Sequence, residues 1–555
     1  MSVQSPHLDR ARRLLPAGWD HGRDLAILFG DDCAELSQAL AELGVQRLIL
    51  FVSPELDLGL LPGHAFAVHN EHELGKAIAQ IGGSTPQKLI LQRLADPRFD
   101  SARLRGIQEI VRAGLAARNA SQNTIDRFGA QWLRQGLANL PAIARHPSID
   151  TLRGAFAGQA CVIVAPGPSL DRNVHLLREL SGRALILTCT HAVRALEAAG
   201  VTPDLIMAAD AGNMALHLRD THPERAAGLV LSATAQPSLY ELPAQRFVTF
   251  ASNSEVDDWA YAAVGDRAGL ETGGSVSCSA LSFALQAGCD RIAFVGQDLA
   301  FTGERYYAER SLDGAALVRK GDNGKFRLER FRAYEENAQA QSELTRAEEV
   351  HRVPGWGGGT VETSSSFLLF LQWFERLMPT VDASQRVYNC TEGGAHIAGM
   401  RHAPLAEVLP DFARAPLDVG AVLDAAQARI DPSARARAVR TQLQRMQRGL
   451  EKSHDLAQRC ARLVRQAQRD PRAVSRLDRA EKDLMVAMQR ARFLSLHAQK
   501  PIREAGERAA AAGDLAGNLR AASELYAVVQ AAAAELRAPI AQTLASLEGE
   551  ARRCA

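Results

Sequence analysis

Between residues 154 and 410, short apolar runs stop abruptly at glycine or polar residues, and helical spacing follows each stop. This alternation limits the fold more than any other feature of the chain. Cys161–Val164 ends at Ala165-Pro166-Gly167-Pro168, and Ser169-Leu170-Asp171 opens a helical pattern through Val174, Leu177 and Leu180. Ala184–Cys189 reads as a strand, Ala192–Ala199 as a helix, and Leu205–Ala209 as a strand ending at Asp210-Ala211-Gly212. Leu229–Ala233 and Phe247–Phe250 add short strands. Thr272-Gly273-Gly274-Ser275-Val276 opens a helix to Ala287, and Arg291–Val295 is a strand ending at Gly296-Gln297-Asp298. Strands alternating with helices at this spacing predict a doubly wound, mostly parallel sheet.

Ligands of such sheets lie at the carboxyl ends of the strands. The residues expected there are Gly167, Pro168, Ser169, Thr190, His191, Asp210, Gln297 and Asp298, with Thr272, Gly273, Gly274 and Ser275 at a helix start. A strand, a tight turn and a helix N-terminus offer backbone N–H groups and a positive dipole end to a phosphate. Each residue also has a local reading. Ser169 and Asp171 are N-cap types, Asp210 suits a turn, and Thr272–Ser275 suits a cap with flexible glycines.

The first segment has the same grammar on a smaller scale. Leu25–Phe29, a helix over Cys33–Leu43 with Leu36, Leu40 and Leu43 on one face, and Arg47–Val52 form a βαβ unit. Gly30-Asp31-Asp32 ends its first strand without a glycine-rich fingerprint, which argues against a dinucleotide. Lys88–Leu91 is a third strand and Arg103–Leu115 a helix. The expected layout is a small Rossmann-like α/β domain over 1–118, a helical connector over 119–153, a central domain over 154–410 and an all-α bundle over 411–555.

Two stretches late in the central segment complete its candidate site. Phe301 to Tyr334 is polar, carries Tyr306, Tyr307 and several arginines, lacks sustained periodicity and reads as a long loop or lid. VPGWGGGT (Val353–Thr360) is a glycine-rich loop before an apolar helix at Ser365–Leu377, and YNCTEGGAHIAG (Tyr388–Gly399) is a strand end carrying Thr391, Glu392 and His396. In the bundle, Val439, Leu443, Met446, Leu450, Ala457, Cys460 and Val464 follow 3-4 spacing, and Val474, Leu477, Leu484 and Met488 begin a second stripe. Breaks are expected at Asp470-Pro471, Lys500-Pro501, Ala512-Gly513 and Ala538-Pro539.

With 555 residues the chain exceeds what one core usually serves. Its 64 Lys and Arg balance 63 Asp and Glu, which gives no electrostatic reason to invoke nucleic acid or an anionic membrane. Its longest apolar runs are far short of the ~20 residues that span a bilayer. The N-terminus lacks the apolar run of a signal peptide. The eight cysteines are scattered, with no C-x-x-C, which points to a reducing cytoplasm and no structural zinc.

The stretches VIVAPGPSLDRNVHLL, ILTCTHAVRALEAAGVTPDLIMAADAG, TGGSVSCSALSFALQAGCDRIAFVGQDLAF and YNCTEGGAHIAG, in this order, resemble the motility-associated factor (Maf) family of flagellin nonulosonic-acid transferases, whose central region is Maf/MptE-like. They are also similar to bacterial sialyltransferases with a GT-A-like fold that use CMP-sialic acid. That resemblance places Gly167, Pro168, Ser169, Thr190, Thr272, Gly273 and Asp298 around the nucleotide. Pro166 and Thr190 stand where that pattern has Asn.

The resemblance implies transfer of a nonulosonic acid (pseudaminic, legionaminic or a sialic-acid-like sugar) from its CMP donor to Ser or Thr of flagellin, in support of flagellum assembly and motility. Its partners are the donor and flagellin, not nucleic acid or membrane, and its compartment is the cytoplasm; the oligomeric state stays open. Backbone N–H groups at Ser169 and Gly273-Gly274, with the Tyr306 or Tyr307 hydroxyls, would face the departing phosphate. Glu392, His351 and His191 are the candidate general bases. No D-x-D signature is present, so no cofactor is required and Mg²⁺ is not expected to be essential. Two alternatives remain, an ATP- and Mg²⁺-using pterin pyrophosphokinase and a non-catalytic flagellin-binding protein.

Overall fold

The computed structural model describes residues 6–81, 86–252, 255–321, 324–331, 348–413, 415–511 and 514–553. The chain divides into two compact units, Met1–Ala130 with Ala498–Val528, and Gln131–His497 with Val529–Ala555.

The first unit is built on four parallel strands, β1 (Leu25–Phe29), β2 (Leu48–Phe51), β3 (Phe66–Val68) and β4 (Leu89–Arg93), in the order β3-β2-β1-β4. Every residue of β1 is buried. Ala26 and Leu28 join one core with Leu36 and Leu40, while Leu25, Ile27 and Phe29 join another with Phe51 and Phe99. This two-sided burial is why β1 reads as a continuous apolar run rather than an alternating one. The helix expected at Arg103–Leu115 and the connector as far as Arg145 are one helix, Ser101–Arg145, and a 3₁₀ turn, Ile149–Leu152, follows it.

The second unit carries an eight-stranded sheet whose described pairings are all parallel. The strands are β5 (Ala160–Val164), β6 (Leu185–Cys189), β7 (Leu205–Ala208), β8 (Gly228–Ser232), β9 (Phe247–Phe250), β10 (Arg291–Val295), β15 (Arg386–Asn389) and β16 (Arg401–His402), in the order β16-β15-β10-β5-β6-β7-β8-β9. The chain starts in the middle at β5, steps outward to β9, and returns with β10 to the other side of β5. The order therefore reverses between β5 and β10, the topological switch point of a doubly wound sheet. After β5 the helical turn Leu170–Asn173 passes into a 3₁₀ helix, Val174–Leu180. Its apolar residues, Val174, Leu177 and Leu180, recur every third position, which matches three residues per turn.

The stretch from Phe301 toward Tyr334 is not a structureless lid. Strands β11 (Leu317–Lys320) and β12 (Lys325–Glu329) pair antiparallel, and β13 (Glu348–Pro354) and β14 (Thr360–Ser364) complete a second, four-stranded sheet. Phe326 and Leu328 point inward while Lys325 and Arg327 are exposed. The period of two is present but short, and long cationic side chains interleave it. Tyr334 lies outside the described residues. The glycine-rich segment is the turn between β13 and β14, with the Gly355 N–H on the Gly359 carbonyl at 3.0 Å and Gly358 and Gly359 at φ +91° and +67°.

Toward the C-terminus the region is helical. Asp431 caps the helix Pro432–Ala467 by accepting the Ala434 N–H at 3.0 Å, and the predicted stripe from Val439 to Val464 is buried. The Asp470-Pro471 break is present as a short 3₁₀ turn before Val474–Arg490. Ala512-Gly513 lies outside the described residues. Ala538-Pro539 does not break a helix, because Leu515–Arg553 runs through Pro539. Burial of Ala533, Leu536, Ile540 and Leu547 offsets the one backbone hydrogen bond that proline forfeits. Among the described residues no helix is long and apolar enough to cross a membrane.

Candidate functional site at the switch point

The site grows from the two glycine-bearing turns that follow β5 and β10. The Gly167 N–H donates to the Gly296 carbonyl at 2.8 Å, and a Cβ on Gly167 would fall 2.2 Å from the Asp298 carboxylate. A Cβ on Gly296, at φ +67°, would fall 2.1 Å from the Ala165 carbonyl oxygen. Only glycine permits this approach.

Asp298 is the centre of the arrangement. It is 3% exposed and accepts the Ser169 hydroxyl at 2.5 Å, the Ser169 N–H at 3.2 Å and the Thr302 hydroxyl at 2.8 Å. Its carbonyl accepts the Ala395 N–H at 2.7 Å, and a Cβ on Gly394 would meet that carbonyl oxygen at 2.2 Å. Burial raises the Asp298 pKa, against which the Ser169 and Thr302 hydrogen bonds lower it. Asp298 thus ties the turns after β5, β10 and β15 together. Ser169 spends its hydroxyl and N–H on this carboxylate and does not cap the helix that follows it.

The segment after Asp298 arches over the β5 turn. The Ala308 N–H donates to the Pro166 carbonyl at 2.7 Å, the Glu309 N–H to Asp171 at 3.0 Å, and Arg305 lies 3.1 Å from Asp171. This brings the Tyr307 ring to 5.7 Å from His191, which follows β6. Tyr306 packs edge-on to Tyr307 at 4.8 Å and stacks on Phe367 at 5.1 Å, in the aromatic cluster of the small sheet. The Thr190 hydroxyl lies 3.3 Å from His191 Nδ1.

Glu392 follows β15 with φ +59°, uncommon for a residue with a side chain. Its Oε1 accepts from Asn173 Nδ2 at 3.0 Å and the Leu405 N–H at 2.9 Å, while its carbonyl accepts from Arg172 at 2.6 Å. The carboxylate is fixed in orientation. Gln297 donates its N–H to the Thr391 hydroxyl at 3.2 Å, and its buried Oε1 has no hydrogen-bond partner.

The remaining candidates stand apart from this group. Asp210 is exposed and closes a turn by accepting the Gly212 N–H at 2.7 Å. Thr272–Ser275 precedes the helix Val276–Gln286, and Gly273 and Gly274 lie so close to Trp373 and Phe370 that a Cβ would fall within 3 Å of either ring. The Ser275 hydroxyl pairs with Ser277 at 2.9 Å and caps nothing. His351 belongs to β13, where its Nε2 lies 2.9 Å from the Ser365 hydroxyl. Pro168 sits in the turn between Gly167 and Ser169. The sequence reading missed Thr302, Asn173 and His217. Thr302 and Asn173 have no motif of their own, and His217 lies in a 3₁₀ turn after β7. Among the described residues no group of three or more His, Cys, Asp or Glu is placed to hold a metal ion.

Residues 134–304 match the family model described as 6-hydroxymethylpterin diphosphokinase MptE-like. That range contains β5 to β10 and Asp298. The fold is similar to the solved structure of a Maf glycosyltransferase from Magnetospirillum magneticum AMB-1, with a TM-score of 0.53 and 14% identity, over 99% of this chain and 87% of that one. No curated protein sequence matches the chain.

Proposed function

We propose that this chain is a glycosyltransferase that moves a nonulosonic acid from its CMP donor to serine or threonine hydroxyls of flagellin in the cytoplasm. The observation that carries this reading is the pinned switch point between β5 and β10, where Asp298 holds three turns together at the carboxyl edge of the sheet, in a chain sharing its fold with a Maf glycosyltransferase. The donor carbon is tertiary and bears a carboxylate, so bond breaking runs ahead of bond making and the main charge to stabilise is the departing phosphate. The Tyr307 hydroxyl, on a ring 5.7 Å from His191, is the donor this edge offers to that phosphate.

Glu392 accepts the proton of the attacking hydroxyl in this reading. Its left-handed backbone and the two donors on Oε1 leave Oε2 to take that proton. Glu392→Gln retains an acceptor for Asn173 and Leu405, so the fold should persist within about 1 kcal/mol while transfer falls at least ~100-fold. Purified chain, a CMP-nonulosonate donor and flagellin, followed by mass spectrometry of the flagellin, test the whole reading. Unmodified flagellin with every such donor sinks it, and an unchanged rate in Glu392→Gln sinks the assignment of the base.

The family-model match favours one second reading, a diphosphokinase acting on a pterin alcohol. It calls for ATP and Mg²⁺. Stabilisation by ATP–Mg²⁺ but not by CMP in a thermal-shift assay would select it.

A further inference from the structure

One cluster at the carboxyl edge of the large sheet stacks two histidine rings that, among the described residues, pair with no carboxylate. His191 sits in the turn Thr190–Ala192 after β6, and His217 in the turn Met214–Leu218 after β7. Their ring centroids are 3.6 Å apart at an interplanar angle of 31°. His191 is half-buried, whereas His217 behind it is 2% exposed and its Nε2 is buried with no hydrogen-bond partner.

The neighbours of the pair are Thr190 at His191 Nδ1, the Tyr307 ring 5.7 Å from His191, Cys189 before the turn, and Arg194 on the helix that follows it. Arg194 donates to the Arg219 carbonyl and lies 4.0 Å from Asp220, an exposed carboxylate, while its buried Nε has no partner. Among the described residues neither imidazole is paired with a carboxylate.

Two imidazolium rings at this separation repel, and burial penalises even one. Burial holds His191 well below the ordinary histidine range, with His217 adding to the effect. Burial likewise lowers His217 to about 4, with Arg194 adding to it. The free pair is therefore neutral at pH 7, and an arriving oxyanion would supply the missing counter-charge.

We propose that His191 and His217 form one proton site, empty in the free protein, that takes a proton from solvent when an oxyanion of the donor docks against His191. His217 is a positioning residue. It stacks behind His191 and keeps the pair neutral until the anion arrives. The inference rests on the CMP-donor reading and adds to it the place where the donor's charge is met.

Calorimetric titration of the full chain with CMP-sialic acid, between pH 5.5 and 8 in two buffers of different ionisation enthalpy, reads the proton directly. About one proton should be taken up per donor bound near pH 6, and affinity should fall about tenfold per pH unit between the pKa of the free pair and that of the bound pair, levelling off above the latter. The double variant His191→Gln/His217→Gln should lose both the uptake and the slope, and His217→Gln alone should take up less than the parent. Thermal denaturation of each variant confirms that it is folded. Free sialic acid and CMP, titrated separately, distinguish the carboxylate from the phosphate, with the double variant subtracting the titration of CMP itself. Donor binding without proton uptake, or an equal slope in the double variant, overturns the proton site and leaves the donor reading standing. No binding of any CMP compound overturns both.

Discussion

The two parallel sheets end their switch points in opposite ways. In the first unit the order reverses between β1 and β4, and the turns there carry Asp31 and Asp96. Arg98 lies 2.8 Å from Asp31 and 2.5 Å from Asp96, and its hydrogen bonds hold the Asp96 carboxyl below the ordinary range. One guanidinium bridges the two carboxylates and closes the edge. In the second unit the buried carboxylate of Asp298 accepts hydrogen bonds from the neutral donors of Ser169 and Thr302, with the Arg172 charge acting on it without direct contact, and glycines let the turns close tightly around it. One topology is thus closed by an ion pair in one place, and in the other forms the edge at which we propose the donor binds. What separates them is how the acid at the crevice is held, by a guanidinium in direct contact in the first sheet and by hydroxyls and an N–H in the second.

Removing Asp298 is the strongest way to break this contrast. Asp298→Ala orphans the Ser169 N–H, the Ser169 hydroxyl and the Thr302 hydroxyl, each costing ~1–3 kcal/mol when buried. A loss of about 3–5 kcal/mol is expected in urea denaturation. Gly167→Ala attacks the same point sterically, through a Cβ 2.2 Å from the carboxylate and 2.4 Å from the Gly296 carbonyl oxygen. If both variants retain the parent's midpoint, Asp298 is not the structural centre of the edge.

Acid should separate the two units. His146 and His217 are held at about 4 by burial, with nearby arginines adding, and His191 lies well below its usual range for the same reason. The unfolded chain protonates each near pH 6.5. Their contribution is complete above pH 6.5 and is lost as pH falls toward 4, by up to ~1.4 kcal/mol per pH unit for each histidine. Asp204, raised to about 6 by burial against the opposing Ile186 hydrogen bond, and Asp298 act in the opposite sense, since the folded state takes their protons first. His402 is lowered with the three histidines and Glu348 is raised with the two carboxylates; the histidines are the more numerous, so the stability of this unit should decline between pH 6 and 5. Asp31 and Asp96, lowered in the first unit, lose their contribution only below about pH 4. Proteolysis in urea at pH 7 and pH 5 should therefore show peptides from 131–497 becoming labile at less urea, while those from 6–81 do not change.

The strands were legible because burial on both faces writes itself as an unbroken apolar run, and Leu25–Phe29 and Arg291–Val295 match their expected bounds residue for residue. The residues at strand ends were legible for the same reason, since the runs stop where the polar edge begins. What joins them was not. Ser169 and Asp298 are 129 positions apart, and their contact depends on β10 returning to lie beside β5, which no local period encodes. β11 and β12 were hidden by their cations, and His217 by a turn that gives no pattern. The placing of 498–528 with the first unit has no signature in helical spacing either.

The smallest expected effect falls on the sealed edge. Arg98→Ala removes a cation whose side chain is 37% exposed, so solvent already screens part of its attraction to Asp31 and Asp96. The cost should be about 1 kcal/mol, carried mostly by Asp96, which is 9% exposed and loses its bidentate partner. Opening that edge leaves two carboxylates facing each other, and such a site repels a phosphate. The variant should therefore bind CMP-sialic acid with the parent's affinity and modify flagellin at the parent's rate. A change of more than about threefold in either would mean that Arg98 does more than seal the first sheet, and that the two switch points are not divided into scaffold and site.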